Sequence, residues 1–368
     1  MPERKTEAVW IESRRRWQIN VQVDGVRKTF TCSTPGRRGK AAAERKADAW
    51  LAGERPTTDS NVGLLLDKYV AYLQETKSVG HASQYGGFVR LYIKPIIGVK
   101  RMSRLTEGDM QAVIDLAYSK RGLSAKTLQD VRGCMMNWLK WCRKRDLSKL
   151  HAEDLTIPAG ARKSEKRVME PDSLKKLMTS EVTSWHCKEH TDWFIHAYRF
   201  AVCTGLRPGE LLGLERQDVN GPKVTIRRSY NVRGEVTQGK NRNARRTIQI
   251  PKQAEAELTA QAEMLKKAGI LSPYLFPDRS GARAREGNLY QAWQRYCKYN
   301  GIPQISLYEL RHTFVSVNKE MPAGLKKMTV GHSRDMDTEG VYGHEMAGDL
   351  EKAAGYTEAA FKKILEMQ

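Results

Sequence analysis

The sequence contains no apolar run of membrane-spanning length, and Met1 to Glu7 carry no apolar core of the kind that opens a secretory signal. A soluble protein that stays in the cytoplasm is therefore expected. Cysteine is scarce, with six residues scattered at positions 32, 134, 142, 187, 203 and 297 and no Cys-x-x-Cys pair, which argues against a disulfide scaffold. Several fall inside apolar helical patterns and read as core fillers of a reduced protein. Trp185 to His190 has the look of a metal site, but no second ligand pair accompanies it and no zinc is expected. Acid is short as well, with 42 Asp plus Glu against 63 Lys plus Arg, a formal net charge of +21. Such an excess attracts polyanions with a salt-dependent affinity, nucleic acid ahead of an anionic membrane surface.

What is present has the length of two domains, with room for a small extra module in 368 residues. Alternation in Val9 to Ile11, Trp17 to Val23 and Val26 to Thr31, with Asp24-Gly25 between the last two runs, predicts a hairpin sheet. An alanine-rich helix over Gly39 to Leu51 follows. Residues 1–55 hold 13 Lys or Arg and 7 Asp or Glu, so this small sheet either lays its strands in a DNA groove or presents a solvated basic face. Residues 58–150 read as four helices. Val62, Leu65, Leu66, Tyr69, Val70 and Leu73 form one apolar stripe, and Leu128, Val131, Met135, Trp138, Leu139 and Cys142 form another. Between them a helix from Ala82 to Ile93 is expected to end at Pro95, with another over Thr106 to Lys120. Trp138 and Trp141 read as core and interface residues rather than as a base-stacking pair. Residues 151–170 lose periodicity and read as a linker. Residues 171–368 read as a mainly helical domain that opens on Pro171, has one strand region over Lys223 to Ile250, and ends in a tail helix. The expected fold is mainly α with small β-sheets.

Arg207, in Thr204 to Glu210, stands directly before a proline-initiated helix, where free backbone donors also point outward and a phosphate is welcome. Between 221 and 250 eight Lys or Arg face only Glu235, so this hairpin is expected to lie against DNA. Lys240 beside Gly239 offers a mobile ammonium, and Arg242 competes for the same role. Tyr308 and Arg311 are one helical turn apart. His332 lies in a Gly-His-Ser turn, and Tyr342 follows ten residues later on a short helix expected over 335–343. A tyrosine is a poor nucleophile at neutral pH, and two arginines and a lysine are the surroundings that would activate it.

These boxes together resemble the tyrosine recombinase, or phage integrase, family. Its pattern of T-G-L-R-x-x-E, a hairpin lysine, H-x-x-R-H-T, L-G-H-S and a tyrosine about ten residues later corresponds to Thr204 to Glu210, Lys240, Tyr308 to Thr313, Val330 to Ser333, and Tyr342. The resemblance spans nearly the whole chain. It implies that residues 1–55 are an arm-type DNA-binding module, residues 58–150 a core-binding domain and residues 171–368 the catalytic domain. It further implies that Arg207 and Arg311 hold the scissile phosphate, that Lys240 protonates the departing 5′ oxygen and that His332 donates a hydrogen bond to the phosphate. Tyr342 would attack to leave a 3′-phosphotyrosine. Neither ATP nor metal is implied, because the ester bond is kept in the covalent intermediate. The implied partners are double-stranded attachment sites, a homotetramer on DNA, and accessory directionality or DNA-bending proteins.

One position departs from the pattern. Tyr308 stands where the family usually has the histidine credited with taking the nucleophile's proton. Either water or neighbouring groups take that proton, or Tyr308 only orients the phosphate through its hydroxyl. His312 reads as a packed helix residue rather than as the base. The tail, with Leu350, Ala353, Ala354, Phe361, Ile364 and Leu365 on one stripe, is expected to dock on a neighbouring protomer, with folding back on its own domain as the alternative. A mobile-element integrase is the leading functional expectation. A chromosome-dimer resolvase or a non-catalytic DNA-binding regulator are its rivals.

Overall fold

The computed structural model describes residues 6–23, 26–51, 60–163, 167–237, 245–331 and 346–366. It divides into two compact units, Met1–Ser164 and Glu165–Gln368.

In the first unit, β1 (Val9–Ile11), β2 (Arg16–Val23) and β3 (Val26–Cys32) form an antiparallel sheet in that order, with Ile19 opposite Phe30. The Asp24-Gly25 turn lies outside the described residues. α1 (Gly36–Leu51) covers one face of the sheet. Ala43, Ala47, Trp50 and Leu51, at helical spacing, are buried with Ile19 and Val21. The rest of the unit is helical. α2 (Val62–Thr76) is capped by Asn61, α5 (Glu107–Arg121) opens on a capping box between Thr106 and Asp109, and α6 (Ala125–Arg143) is capped by Ser124. Trp138 is fully buried in this core, and the half-buried Trp141 packs on Tyr69 and Tyr72 with the Arg145 guanidinium over its ring.

Two expectations for this unit are corrected. The helix does not end at Pro95. α3 (Val79–Phe88) widens into a π-turn over Val89–Ile93 and continues as α4 (Lys94–Ile97). Proline has no N–H to donate, but it sits in the first turn of α4 where none is required, and the widened turn upstream absorbs the mismatch. The stretch 151–170 is also not a free linker throughout. Ala152, Leu155 and Ala161 are buried in the helical core, and Thr156 and Gln111 exchange hydrogen bonds of 2.9 and 3.1 Å. Apolar residues at irregular spacing docked on existing helices leave no periodicity to read.

The second unit begins with α7 (Pro171–Thr179) and is built round α8 (Ile195–Thr204), every residue of which is buried. α9 (Pro208–Gly213), α10 (Lys252–Lys267), α11 (Glu286–Asn300), α12 (Leu307–Val317) and α13 (Ala323–Val330) complete most of the helical layer. β10 (Arg246–Gln249), β7 (Lys223–Ile226) and β6 (Val219–Asn220) form an antiparallel sheet, and β8 (Ser229–Tyr230) pairs with β9 (Val236–Thr237) across a turn at 231–234.

A second strand region was not expected. β4 (Val182–Trp185) and β5 (Lys188–Thr191) form a hairpin whose two turn residues, His186 and Cys187, have φ of 50° and 59°. Two left-handed residues in a row are the geometry that suits a two-residue hairpin, but neither residue type advertises it.

The tail helix, α14 (Asp349–Glu366), folds back on its own unit, contrary to the expectation of docking on a neighbour. Phe361 is 0% exposed in the main core, Ala353 packs beside Phe314 and Val330, and Thr357 donates to Asn318 at 2.9 Å. An apolar stripe demands cover, and here the chain's own α7, α12 and α13 supply it.

Candidate active site

The site grows from the junction of α8 and α9. Gly205 ends α8 with φ +65°, and a Cβ there would stand 2.5 Å from the Phe314 ring, so glycine is what lets α12 approach. The Gly205 carbonyl is thereby free to accept from Arg311 Nη1 at 2.9 Å. Arg311 is 2% exposed, and its Nη2 has no hydrogen-bond partner among the described residues.

Arg207 is the N-cap of α9 with Pro208 next to it. Glu210, 2% exposed, accepts from the Arg207 backbone at 3.1 Å and from its Nη1 at 2.5 Å. A third arginine joins them. Arg246 donates Nη1 and Nη2 to the two Glu210 oxygens at 3.2 and 3.0 Å, and Nε to the Thr329 carbonyl at 2.7 Å. Arg207 Nη2 reaches the Gly331 carbonyl at 3.3 Å.

Two guanidinium groups, those of Arg207 and Arg246, thus hold one carboxylate, and Arg311 feels all three charges. Burial and the Arg207 charge push the Arg311 guanidinium down to about 10, with Glu210 acting in the opposite direction. Burial works against the Glu210 carboxylate too, but Arg246 and Arg207 outweigh it and hold the group below its ordinary value. Arg311 stays charged at neutral pH, and its buried, unpartnered donor is a place for an anion.

α12 is fastened from the other side. Ser306 caps it, Glu309 accepts from the Ser306 and Arg167 backbones at 2.5 and 3.0 Å, and Thr313 accepts from the Met169 N–H at 3.0 Å. This fixes the helix that presents Tyr308 and Arg311. Tyr308 is 43% exposed, and its ring meets the His312 ring edge-on at 5.3 Å.

Of the six expected site residues, the structure places Arg207 on the Glu210 carboxylate, holds Arg311 on the Gly205 carbonyl within reach of the same charges, and sets Tyr308 one turn before Arg311. Lys240, with its competitor Arg242, and His332, Tyr342 and the short helix expected over 335–343 lie outside the described residues. The expectation that only Glu235 opposes the cations of 221–250 is corrected. Arg227 and Arg228 pair with Asp218, Lys223 with Glu351 and Arg246 with Glu210. Acids distant in sequence neutralise charges that look unopposed along the strand. Two site residues were missed. Glu210 registers in the sequence only as the closing glutamate of the T-G-L-R-x-x-E pattern, with no role of its own, and Arg246 only as one cation of the hairpin. The usable signal was alternation, since Arg246 shares a strand face with the buried Ile248 and Ile250, and an inward arginine calls for an acid.

Comparison with known proteins bears on the family and the fold. Residues 167–348 match the profile of the phage integrase family. A tyrosine recombinase described as XerC-like, from Caldanaerobacter subterraneus subsp. tengcongensis, is 23% identical over 363 residues, covering 87% of this chain and 88% of its own. The Tn1549 transposon integrase in complex with transposon right end DNA superposes with a TM-score of 0.63 at 17% identity, over 80% of this chain and 98% of that one. A lambda integrase dimer bound to a COC′ core site gives 0.60 at 14% identity, over 94% and 99%. The chain belongs to the phage integrase family of tyrosine recombinases.

Proposed function

We propose that this recombinase integrates and excises a mobile element, working in the cytoplasm as a homotetramer on paired attachment sites and passing through a Holliday junction. The observation that carries the chemistry is the Nη2 of Arg311, buried and without a hydrogen-bond partner among the described residues, together with Arg207 and Arg246, which share the Glu210 carboxylate. A scissile phosphate supplies the missing negative charge, and the two non-bridging oxygens that take up charge in the transition state meet Arg207 and Arg311. Tyr342 gives its proton to water or a neighbouring group and attacks the phosphorus, Lys240 protonates the leaving 5′ oxygen and His332 donates to a non-bridging oxygen. A free 5′ hydroxyl from the partner strand then reverses the step. The phosphodiester energy is kept in the phosphotyrosine, so the cycle calls for neither ATP nor metal.

Residues 1–55, 58–150 and 171–368 serve in this reading as arm-binding, core-binding and catalytic domains. The sheet module with exposed Arg27, Arg37 and Arg38 supports a second DNA contact away from the cleavage site. Likeness to the transposon and lambda integrases favours an element's recombinase. The XerC-like relative, and a XerH recombinase on a difH substrate at TM-score 0.53, keep a chromosome-dimer resolvase as the second reading. Accessory bending or directionality proteins fit the first reading.

Nicked duplexes tiling the DNA that flanks the gene test both levels. The wild-type chain should form a covalent adduct at Tyr342 that Tyr342→Phe abolishes, and DNA binding without any adduct would leave only a DNA-binding regulator. Replacing Arg27, Arg37 and Arg38 by alanine should remove a second footprint and recombination while sparing cleavage of the core site. A resolvase would recombine unimpaired.

A further inference from the structure

Arg246 is held through all three nitrogens of its guanidinium by groups from two other elements. Nη1 and Nη2 take the two oxygens of Glu210, and Nε takes the carbonyl of Thr329 in the last turn of α13. Glu210 is the same carboxylate that holds the backbone and side chain of Arg207. Thr329 lies two residues before Gly331, whose carbonyl accepts from Arg207, and three before His332. One side chain thus joins the arginine box, the strand that follows the Lys240 hairpin, and the helix end that leads to His332.

The consequence for Arg207 is geometric. A carboxylate alone with an arginine closes into a fork-to-fork pair that uses up the guanidinium's paired donors. Here Arg246 and the Arg207 N–H occupy Oε2, so the Arg207 side chain meets Glu210 through Nη1 on Oε1, end-on. Its Nη2 is turned to the Gly331 carbonyl rather than to the carboxylate.

We infer that Arg246 is a positioning residue for strand cleavage. It acts through Glu210 and Thr329 to hold the Arg207 guanidinium open toward the scissile phosphate, without touching the phosphate itself. This rests on the reading of Arg207 as a phosphate ligand. Lysine at 246 keeps the charge but cannot bridge two carboxylate oxygens and a carbonyl in one plane, so charge and geometry separate in a single substitution.

The probe is the nicked duplex that the wild-type chain cleaves, used at saturating protein in single turnover, with Tm and DNA affinity measured alongside. Arg246→Lys and Arg246→Gln should fold and bind the duplex like wild type, while adduct formation slows roughly 10- to 100-fold, the scale of a misplaced catalytic group. In an Arg207→Lys background the same substitutions should slow it by no more than about twofold, because two residues acting as one unit do not give additive losses. Equal slowing in both backgrounds, or wild-type rates in the Arg246 variants, would overturn the inference. So would failure of both variants to fold, which would make Arg246 a structural residue only. A wild-type chain that binds the duplex and forms no adduct would instead overturn the functional reading beneath it.

Discussion

At the scale of single residues the chemistry turns on a donor that has no acceptor among the described residues. Arg311 spends Nη1 on Gly205 and keeps Nη2 buried and unpartnered. Arg311→Lys, which has no second donor arm to aim, should slow adduct formation by about 10²- to 10³-fold, the range for losing one transition-state donor. Single-turnover rates at saturating protein check this. Tyr308 projects into solvent and touches His312 through ring edges, the environment of an orienting hydroxyl rather than of a base. Tyr308→Phe and Tyr308→His should therefore both retain strand cleavage, and an inactive Phe variant would assign the phenol an essential part. Glu210 supplies a pH dependence. Its folded pKa is depressed, so its contribution to stability is complete above the unfolded value of about 4.3 and is lost as pH falls through the folded value. Between about pH 5 and about pH 3 the wild-type Tm should fall more steeply than that of Glu210→Gln. Glu309, whose carboxyl is held down against burial by the Ser306 and Arg167 N–H groups, adds a slope common to both proteins.

At the scale of elements, helices were legible where one face is apolar and a cap is present. α5 and α6 are cases, with Thr106 and Ser124 at their starts. The β4–β5 hairpin was not legible, because His186 and Cys187 hold left-handed conformations that their side chains disfavour. Substituting Asn-Gly for this pair should stabilise the chain by about 0.5–1 kcal/mol, visible as a higher Tm with unchanged adduct formation. The tail was legible as an amphipathic helix but not as to what it covers. Since Phe361 is fully buried in its own unit, Phe361→Ala should cost about 3–5 kcal/mol in denaturant unfolding, independent of protein concentration. A tail docked on a neighbour would make that loss small and concentration-dependent.

At the scale of the molecule, the count of 63 Lys plus Arg overstates the cations that face DNA. Arg246 and Arg228 hold carboxylates in the catalytic unit, with Arg227 and Lys223 in further ion pairs. The exposed cations remain, and their phosphate contacts release counterions. Affinity for a specific duplex should fall by about 10³ to 10⁵ between about 50 and about 200 mM salt for 6–10 such contacts. Titrations by fluorescence anisotropy across that range give the slope directly. Among the described residues no helix is long and apolar enough to cross a membrane.

Residue order along the chain determined the family boxes, the helical periodicities and the choice of Arg207, Tyr308 and Arg311 as candidate site residues. Each of these is a local pattern, and local patterns survive without knowledge of the fold. Only the tertiary structure decided that Glu210 binds Arg246 across 36 residues, that Gly205 offers its carbonyl to an arginine 106 residues away, and where the tail lies. These depend on which buried charges and apolar faces meet in space. A buried guanidinium must find an acid and an apolar stripe must find cover, but sequence order does not say which acid or which cover stands nearest.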